Sequence, residues 1–368
     1  MSEPSIAQFF TWWRGVALGE REIIEGRVLP EHHGPSGELA RALAAGHRHA
    51  YWDEDAEGRW LVVVRELARR RERWWLHALL LIAPFLTTSV GGAALAGAGV
   101  GLGAMPSRLW IPRPGTVIAG LPFSLPLLAI LLAHEAGHYL TARRYLVDVS
   151  PPWFIPMVPQ WSAIGTMGAF IRLRSPFFDR RTLFDVGIAG PLAGLLIALP
   201  VLAVGIALSH VSELGPRLPF SHQFVLLDGG PVMLGDSLLL VAMRWVISGD
   251  AVLGLHPTAV AGWVGLFVTM INLLPLAQLD GGHLAFALFG DRQRWIARLF
   301  WLGLLPLGIL WHGWWLWAAI GLLLGRGRLV HPPLLSAQRP LCSGRRRLGY
   351  LVIAIFLLTF MPLPFIAP

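Results

Sequence analysis

The chain has 368 residues, is 55% hydrophobic and only 14% charged, and its mean hydropathy is +0.58. This excludes an ordinary soluble domain, in which about a quarter of residues are charged. It indicates a polytopic membrane protein, with 17 tryptophans suited to interfacial belts.

The formal net charge of +8 rests on 30 basic residues, all arginine. Most flank apolar runs, so they read as topology determinants, and no nucleic-acid partner is expected. A lone cysteine, Cys342, excludes an intrachain disulfide and a cysteine-based metal site.

In chain order, the N-terminus lacks a basic start followed by an apolar core, so no cleavable signal peptide is expected. Residues 1–75 hold 12 of the 22 acidic residues. "HAYWDEDAEGRWLVVVREL" predicts two short strands around an acidic turn at Asp55 and Gly58, within a small α/β soluble domain. Apolar segments follow at 76–101, 121–146, 184–209, 257–275, 296–325 and 347–366. Each reaches or approaches the roughly 20 residues that cross a hydrocarbon core. "LGDSLLLVAMRWVISG" (234–249) is shorter and reads as interfacial or re-entrant. The expected fold is an all-α polytopic membrane protein with six or more transmembrane helices.

Arginine placement sets the orientation. Arg65 to Arg73 precede the first span, and Arg143, Arg144, Arg172, Arg174, Arg180 and Arg181 follow the second, which puts both regions in the cytoplasm. The loops at 102–120 and 210–233 hold only Arg108, Arg113 and Arg217 and face outward. A single crossing by 296–325 would leave the basic residues Arg326 to Arg347 outside, so a hairpin turning at His312 and Gly313 is expected.

"LLAILLAHEAGHYLTARRYL" (127–146) interrupts an apolar run with His134, Glu135 and His138. Ionisable groups at membrane depth are costly unless partnered. Positions i and i+4 share one helix face, so the two imidazoles can hold one ion, with Glu135 beside it to touch water. H-E-x-x-H is the zinc-hydrolase arrangement of two ligands and a general base. Catalytic zinc takes a third protein ligand, and the strongest candidate is Asp280 in "MINLLPLAQLDGGHLAFALFG". Gly281 and Gly282 free the backbone there, and Asn272 and Pro275 break the preceding helix. His283, Asp148 and Asp236 are weaker candidates. A second Asp-Gly-Gly at Asp228 reads as a turn in the outward loop. Gly187, Gly190 and Gly194 form a small-residue face that allows close helix approach.

"HEAGH", "GTMGAFIRLRSPFFDRRTLFDVGIAGPLAG" and "NLLPLAQLDGG", in that order, resemble the site-2 protease family, zinc metalloproteases that cut within the membrane. The resemblance covers roughly residues 121–290. It implies one catalytic zinc ion (Zn2+) held by His134, His138 and Asp280, with Glu135 as the catalytic base. It also implies a small membrane-associated β-hairpin at Gly165–Leu173 that holds unwound substrate, making Gly165 and Gly168 substrate-binding candidates, and a substrate contact at Asn272. No PDZ domain is visible. The acidic N-terminal region, "LGDS" and "HPP" (His331 to Pro333) look like the PDZ-less branch with plastid and cyanobacterial members.

The organisation expected is an N-terminal cytoplasmic domain (1–75), a first transmembrane helix and outward loop (76–120), a metalloprotease core (121–290) and C-terminal transmembrane helices (291–368). The expected partners are a transmembrane protein or peptide substrate and the lipid bilayer. The expected setting is a bacterial inner membrane, with the N-terminus and the active-site opening cytoplasmic. A substrate helix hides its peptide bonds and must unwind before attack; a strand edge at 163–173 would hold the extended form by β-addition. The competing classes are a metal-ion transporter and an inactive membrane scaffold, neither of which needs Glu135.

Overall fold

The structure, a computed structural model, describes residues 6–18, 21–34, 36–46, 48–55, 58–66, 72–98, 112–158, 161–162, 164–212, 221–227, 230–276, 278–332, 334 and 340–366. It divides into two compact units, one of residues 1–73, 140–150 and 173–176, the other of 74–139, 151–172 and 177–368.

The first unit holds β1 (Phe10–Leu18), β2 (Arg21–Val28), α1 (Gly37–Ala45), β3 (Arg48–Asp55) and β4 (Gly58–Glu66). The strands form an antiparallel sheet in the order β1-β2-β4-β3. The two strands expected around Asp55 and Gly58 are β3 and β4, paired directly across that turn. Leu61, Val62, Val63 and Val64 of β4 are buried in succession, as in a strand covered on both faces. Ile24, Val28, Leu39 and Leu61 form part of its core. Ser36 caps α1 by accepting from the Leu39 amide.

The second unit holds α2 (Trp74–Leu95), α3 (Pro114–Arg144, to Tyr139), β5 (Trp153–Pro156), β6 (Thr166–Phe170) and α4 (Arg180–Leu208). Then come β7 (His210–Val211), β8 (Gln223–Leu227), β9 (Gly230–Leu234), α5 (Leu238–Ser248), β10 (Leu253–Gly254) and α6 (Pro257–Asn272). α7 (Asp280–Phe289), α8 (Gln293–Leu310), α9 (Gly313–Leu324), α10 (Ser343–Thr359) and β11 (Phe365–Ile366) complete it. β5 and β6 form a two-stranded hairpin, with Phe154 opposite Ala169 and Ile155 opposite Gly168.

Three helices, α2, α3 and α4 with 22, 31 and 29 residues, are long and apolar enough to cross a membrane. The chain is a membrane protein. Prolines 84, 122, 126, 191 and 200 lie inside these helices, and the Thr88 hydroxyl donates to the Pro84 carbonyl at 2.6 Å.

The remaining apolar segments form shorter helices. The segment 257–275 yields α6, only 16 residues long, with apolar side chains on every face buried in protein. Hydropathy over that segment therefore reports burial among neighbouring helices. The segment 296–325 is broken at Trp311 and His312 into α8 and α9. Trp301 Nε1 donates to the Ala318 carbonyl and Trp315 Nε1 to the Leu305 carbonyl, each at 2.9 Å, which sets the two helices antiparallel as the hairpin expectation required.

The all-α expectation is corrected by a five-stranded sheet in the order β11-β9-β8-β10-β7. The segment 210–234 supplies three of its strands, and the turn expected at Asp228 lies outside the described residues. β7, β10 and β11 are two residues each, too short for any periodic signal.

Candidate metal centre

His134 and His138 sit one helical turn apart in the C-terminal third of α3, and Asp280 is the first residue of α7. Their ligand-capable atoms, with those of no other described histidine, cysteine or acid, form a group within 4.8 Å of one another. Asp280 Oδ2 lies 3.4 Å from His134 Nε2 and 3.3 Å from His138 Nε2. The two Nε2 atoms are 3.1 Å apart. All three side chains are buried or nearly so.

The donors fit a zinc ion. Nitrogen and oxygen ligands about 2.0–2.1 Å from a tetrahedral ion stand roughly 3.4 Å from each other, close to the spacing found here. The orientation of the His138 ring agrees. His138 Nδ1–H donates to the Val186 carbonyl of α4 at 2.8 Å, which leaves a lone pair on Nε2 pointing into the cluster. His134 Nε2 likewise faces the Asn272 amide nitrogen at 3.2 Å. Two imidazole nitrogens and a carboxylate converging in a buried space form a donor set for a cation.

α4 makes the space for these rings. A Cβ added at Gly190 would fall 2.1 Å from His138 Nε2, and one at Gly194 would fall 3.3 Å from His134 Nδ1. The small-residue face read in the sequence thus lies against the imidazoles themselves. At Gly281 an added Cβ would come 1.9 Å from the Leu273 carbonyl at the end of α6, so only glycine lets α7 begin close enough to present Asp280.

Glu135 is buried and stands outside the three-ligand cluster; its carboxylate is hydrogen-bonded by the backbone of Ile171. Ile171 immediately follows β6, so the hairpin runs out at the glutamate. Gly165 and Gly168 are in that hairpin, not in the cluster. Both have positive φ, +75° and +103°, which glycine adopts at no steric cost. The Gly165 carbonyl is held by Thr87 Oγ1 of α2 at 2.6 Å.

The weaker ligand candidates are placed elsewhere. Asp148 is in the first unit, 3.6 Å from Arg174. Asp236 is buried 3.4 Å from His222. His283 Nδ1 lies 2.8 Å from His331 Nε2. That pairing, and the Val186 carbonyl behind His138, were missed in the sequence, where the "HPP" stretch was the nearest signal.

Residues 122–300 match the model of Peptidase family M50. The probable zinc metalloprotease EGY1, chloroplastic, of Arabidopsis thaliana is 35% identical over 174 residues, which are 47% of this chain and 30% of the relative. The rice (Oryza sativa subsp. japonica) protein of the same name is 34% identical over 198 residues, 53% of this chain and 32% of its own length. The probable zinc metalloprotease EGY2, chloroplastic, of Arabidopsis thaliana is 30% identical over 250 residues, 67% and 42% of the two chains. The chain therefore spans roughly 30 to 42% of the length of these curated relatives. No solved structure matches it. The matched segment contains most of the helix bearing His134 and His138, the hairpin and the residue that completes the cluster, and this segment belongs to peptidase family M50.

Proposed function

We propose that the chain is an intramembrane zinc metalloprotease that hydrolyses peptide bonds within or near the transmembrane segments of membrane-protein substrates. The observation that carries this reading is the convergence of His134 and His138 of α3 with Asp280 of α7, beside a buried glutamate that stands outside the cluster. The names of the chloroplastic relatives point the same way.

In this reading His134 Nε2, His138 Nε2 and one Asp280 oxygen hold the ion. When bound, zinc supplies Lewis acidity, lowering the pKa of a coordinated water towards about 7 and polarising the scissile carbonyl. Glu135 takes the proton from the attacking water and delivers it to the leaving nitrogen. Asp280 offsets part of the cationic charge, and the Val186 carbonyl holds the His138 ring in its ligating tautomer. Asn272, 3.2 Å from His134 Nε2, stands at the edge of the cluster as a hydrogen-bonding group for the substrate backbone. The edge of β6 receives the unwound substrate as an added strand, with the glycines at 165 and 168 shaping the turn.

The finer organisation belongs to the same proposal. Residues 1–75 act as a cytoplasmic domain, 121–290 as the protease core and 291–368 as membrane helices. The segments at 257–275 (α6), 296–325 (the α8–α9 hairpin) and 347–366 (α10) are further membrane elements beside α2, α3 and α4. The N-terminus and the active-site opening face the cytoplasm, as the arginine distribution suggests, and the setting is a bacterial inner membrane. The test is cleavage of a single-span substrate by the purified chain in liposomes. Chelation abolishes it, zinc restores it, and Glu135→Gln abolishes turnover while zinc stays bound. Retained turnover in that variant refutes the assignment.

A further inference from the structure

α7, the helix that brings Asp280 to the imidazoles, has little of its own to hold its first turn. It is ten residues long, and Leu279 at its N-cap makes no side-chain hydrogen bond, where a serine, threonine or aspartate would tie down a free amide. It rests on α4 where Gly187 faces His283. A second hold comes from much later in the chain.

His283 lies three residues after Asp280, on the same face of α7. Its Nδ1 is 2.8 Å from Nε2 of His331. His331 is 5% exposed, and all three of its nitrogens are engaged. Its backbone N–H donates to Gln293 Oε1 at the start of α8, at 3.2 Å. Its Nδ1 lies 2.6 Å from the Pro332 carbonyl. Its ring stacks on Phe286 of α7, with centroids 4.6 Å apart and planes 22° apart. A carbonyl can only accept, so the Nδ1 proton is committed to Pro332. In the neutral ring Nε2 is then an acceptor, and His283 Nδ1–H is the donor. Two nitrogens sharing a tetrahedral ion would stand roughly 3.4 Å apart, so the 2.8 Å separation fits a hydrogen bond better than a shared metal.

We infer that His331 is a positioning residue for the metal centre. Through His283 it fixes the first turn of α7, and with it the direction of the Asp280 carboxylate. Phe177 and Phe286 stand against the two imidazoles. Without its acceptor, the His283 N–H is stranded among them, a cost relieved only if the ring and its turn move. His331 lies beyond the residues 122–300 that match the family model, so the C-terminal part of the chain contributes to the centre. The inference rests on the zinc-binding part of the reading above and adds a residue to it.

The experiment measures zinc affinity of the purified full chain by competition with a chelator, and the visible spectrum of bound cobalt(II), which reports ligand geometry. His331→Leu, similar in bulk but without an acceptor, should weaken zinc affinity about tenfold and change the cobalt spectrum. His331→Gln, whose Oε1 replaces Nε2 as acceptor, restores both. His283→Leu weakens affinity to the same extent, and the double variant loses no more than either, as for two partners of one bond. His283→Leu also keeps the test open should His331→Leu fail to fold. Unchanged affinity and spectrum in both leucine variants, or equal losses in His331→Leu and His331→Gln, overturn the positioning role and leave the metal centre standing. A second zinc ion in the wild type that both leucine variants lose overturns it in favour of a metal site at the pair. Zinc binding with the expected losses but no cleavage by the wild type overturns the protease and keeps this inference; no zinc in the wild type overturns both.

Discussion

Gly190→Ala tests the candidate centre most directly, because it adds one methyl group and touches no ligand's chemistry. The new Cβ would lie 2.1 Å from His138 Nε2, 2.4 Å from Cδ2 and 2.5 Å from Cε1. Ordinary contact needs about 3.5 Å, so roughly an ångström of separation must be found. The ring cannot swing away freely, since its Nδ1–H is held by Val186 one turn earlier on the same helix; breaking that bond costs about 1 kcal/mol. Nor can α4 retreat cheaply, because overpacking a tight contact costs about 1–3 kcal/mol. The ring therefore shifts, and a 1 Å misplacement is worth about a hundredfold in rate. Zinc affinity, measured by competition with a chelator of known strength, should fall at least tenfold, and cleavage by about a hundredfold. Gly187→Ala is the control: its Cβ would meet the His283 Cβ at 3.2 Å and no ligand ring, so zinc retention should stay near wild type. Wild-type zinc affinity and turnover in Gly190→Ala would refute the placement of His138 Nε2 in the site.

Further outcomes follow from the same geometry. Glu135→Gln should keep one zinc per chain by elemental analysis and lose a hundredfold or more in turnover, the usual scale for a general base; a transporter or scaffold would be indifferent to it. Asp280→Ala should lose zinc on dialysis, because two imidazoles alone do not complete the ligand set; full retention would remove Asp280 from it. Gly168→Pro, which forces a negative φ where the chain has +103°, should lower cleavage with zinc content unchanged, and equal turnover would count against substrate docking on the hairpin. Arg345 grips Asp185 with two hydrogen bonds of 2.8 Å, joining α10 to α4; Arg345→Ala should lower unfolding stability by about 1–3 kcal/mol in a denaturant titration, and no change would mark the pair as energetically idle.

Some of this was decided by local order in the chain. Helical spacing alone puts His134 and His138 on one face, and the cost of charge in an apolar segment singles out the acids worth pairing with them. The apolar runs at 76–101, 121–146 and 184–209 underlie α2, α3 and α4 because a stretch of 20 or more such residues has few ways to satisfy its backbone except as a helix. Near Asp55 and Gly58, β-branched residues and a turn sufficed to mark β3 and β4.

Tertiary structure decided the rest. Asp280, Asp148 and Asp236 were all candidates in the sequence, and only the approach of α7 to the end of α6, across Gly281, brings one carboxylate to the imidazoles. The tautomer of His138 is set by a carbonyl 48 residues away. The sheet that includes β7, β10 and β11 is assembled from fragments too short to carry a period, so pairing partners alone define it. The sequence of α6 shows only an apolar segment, because hydropathy measures only a preference to leave water. Whether lipid or neighbouring helices satisfy that preference depends on residues distant in the chain, and here the burial of its apolar residues shows that protein does so.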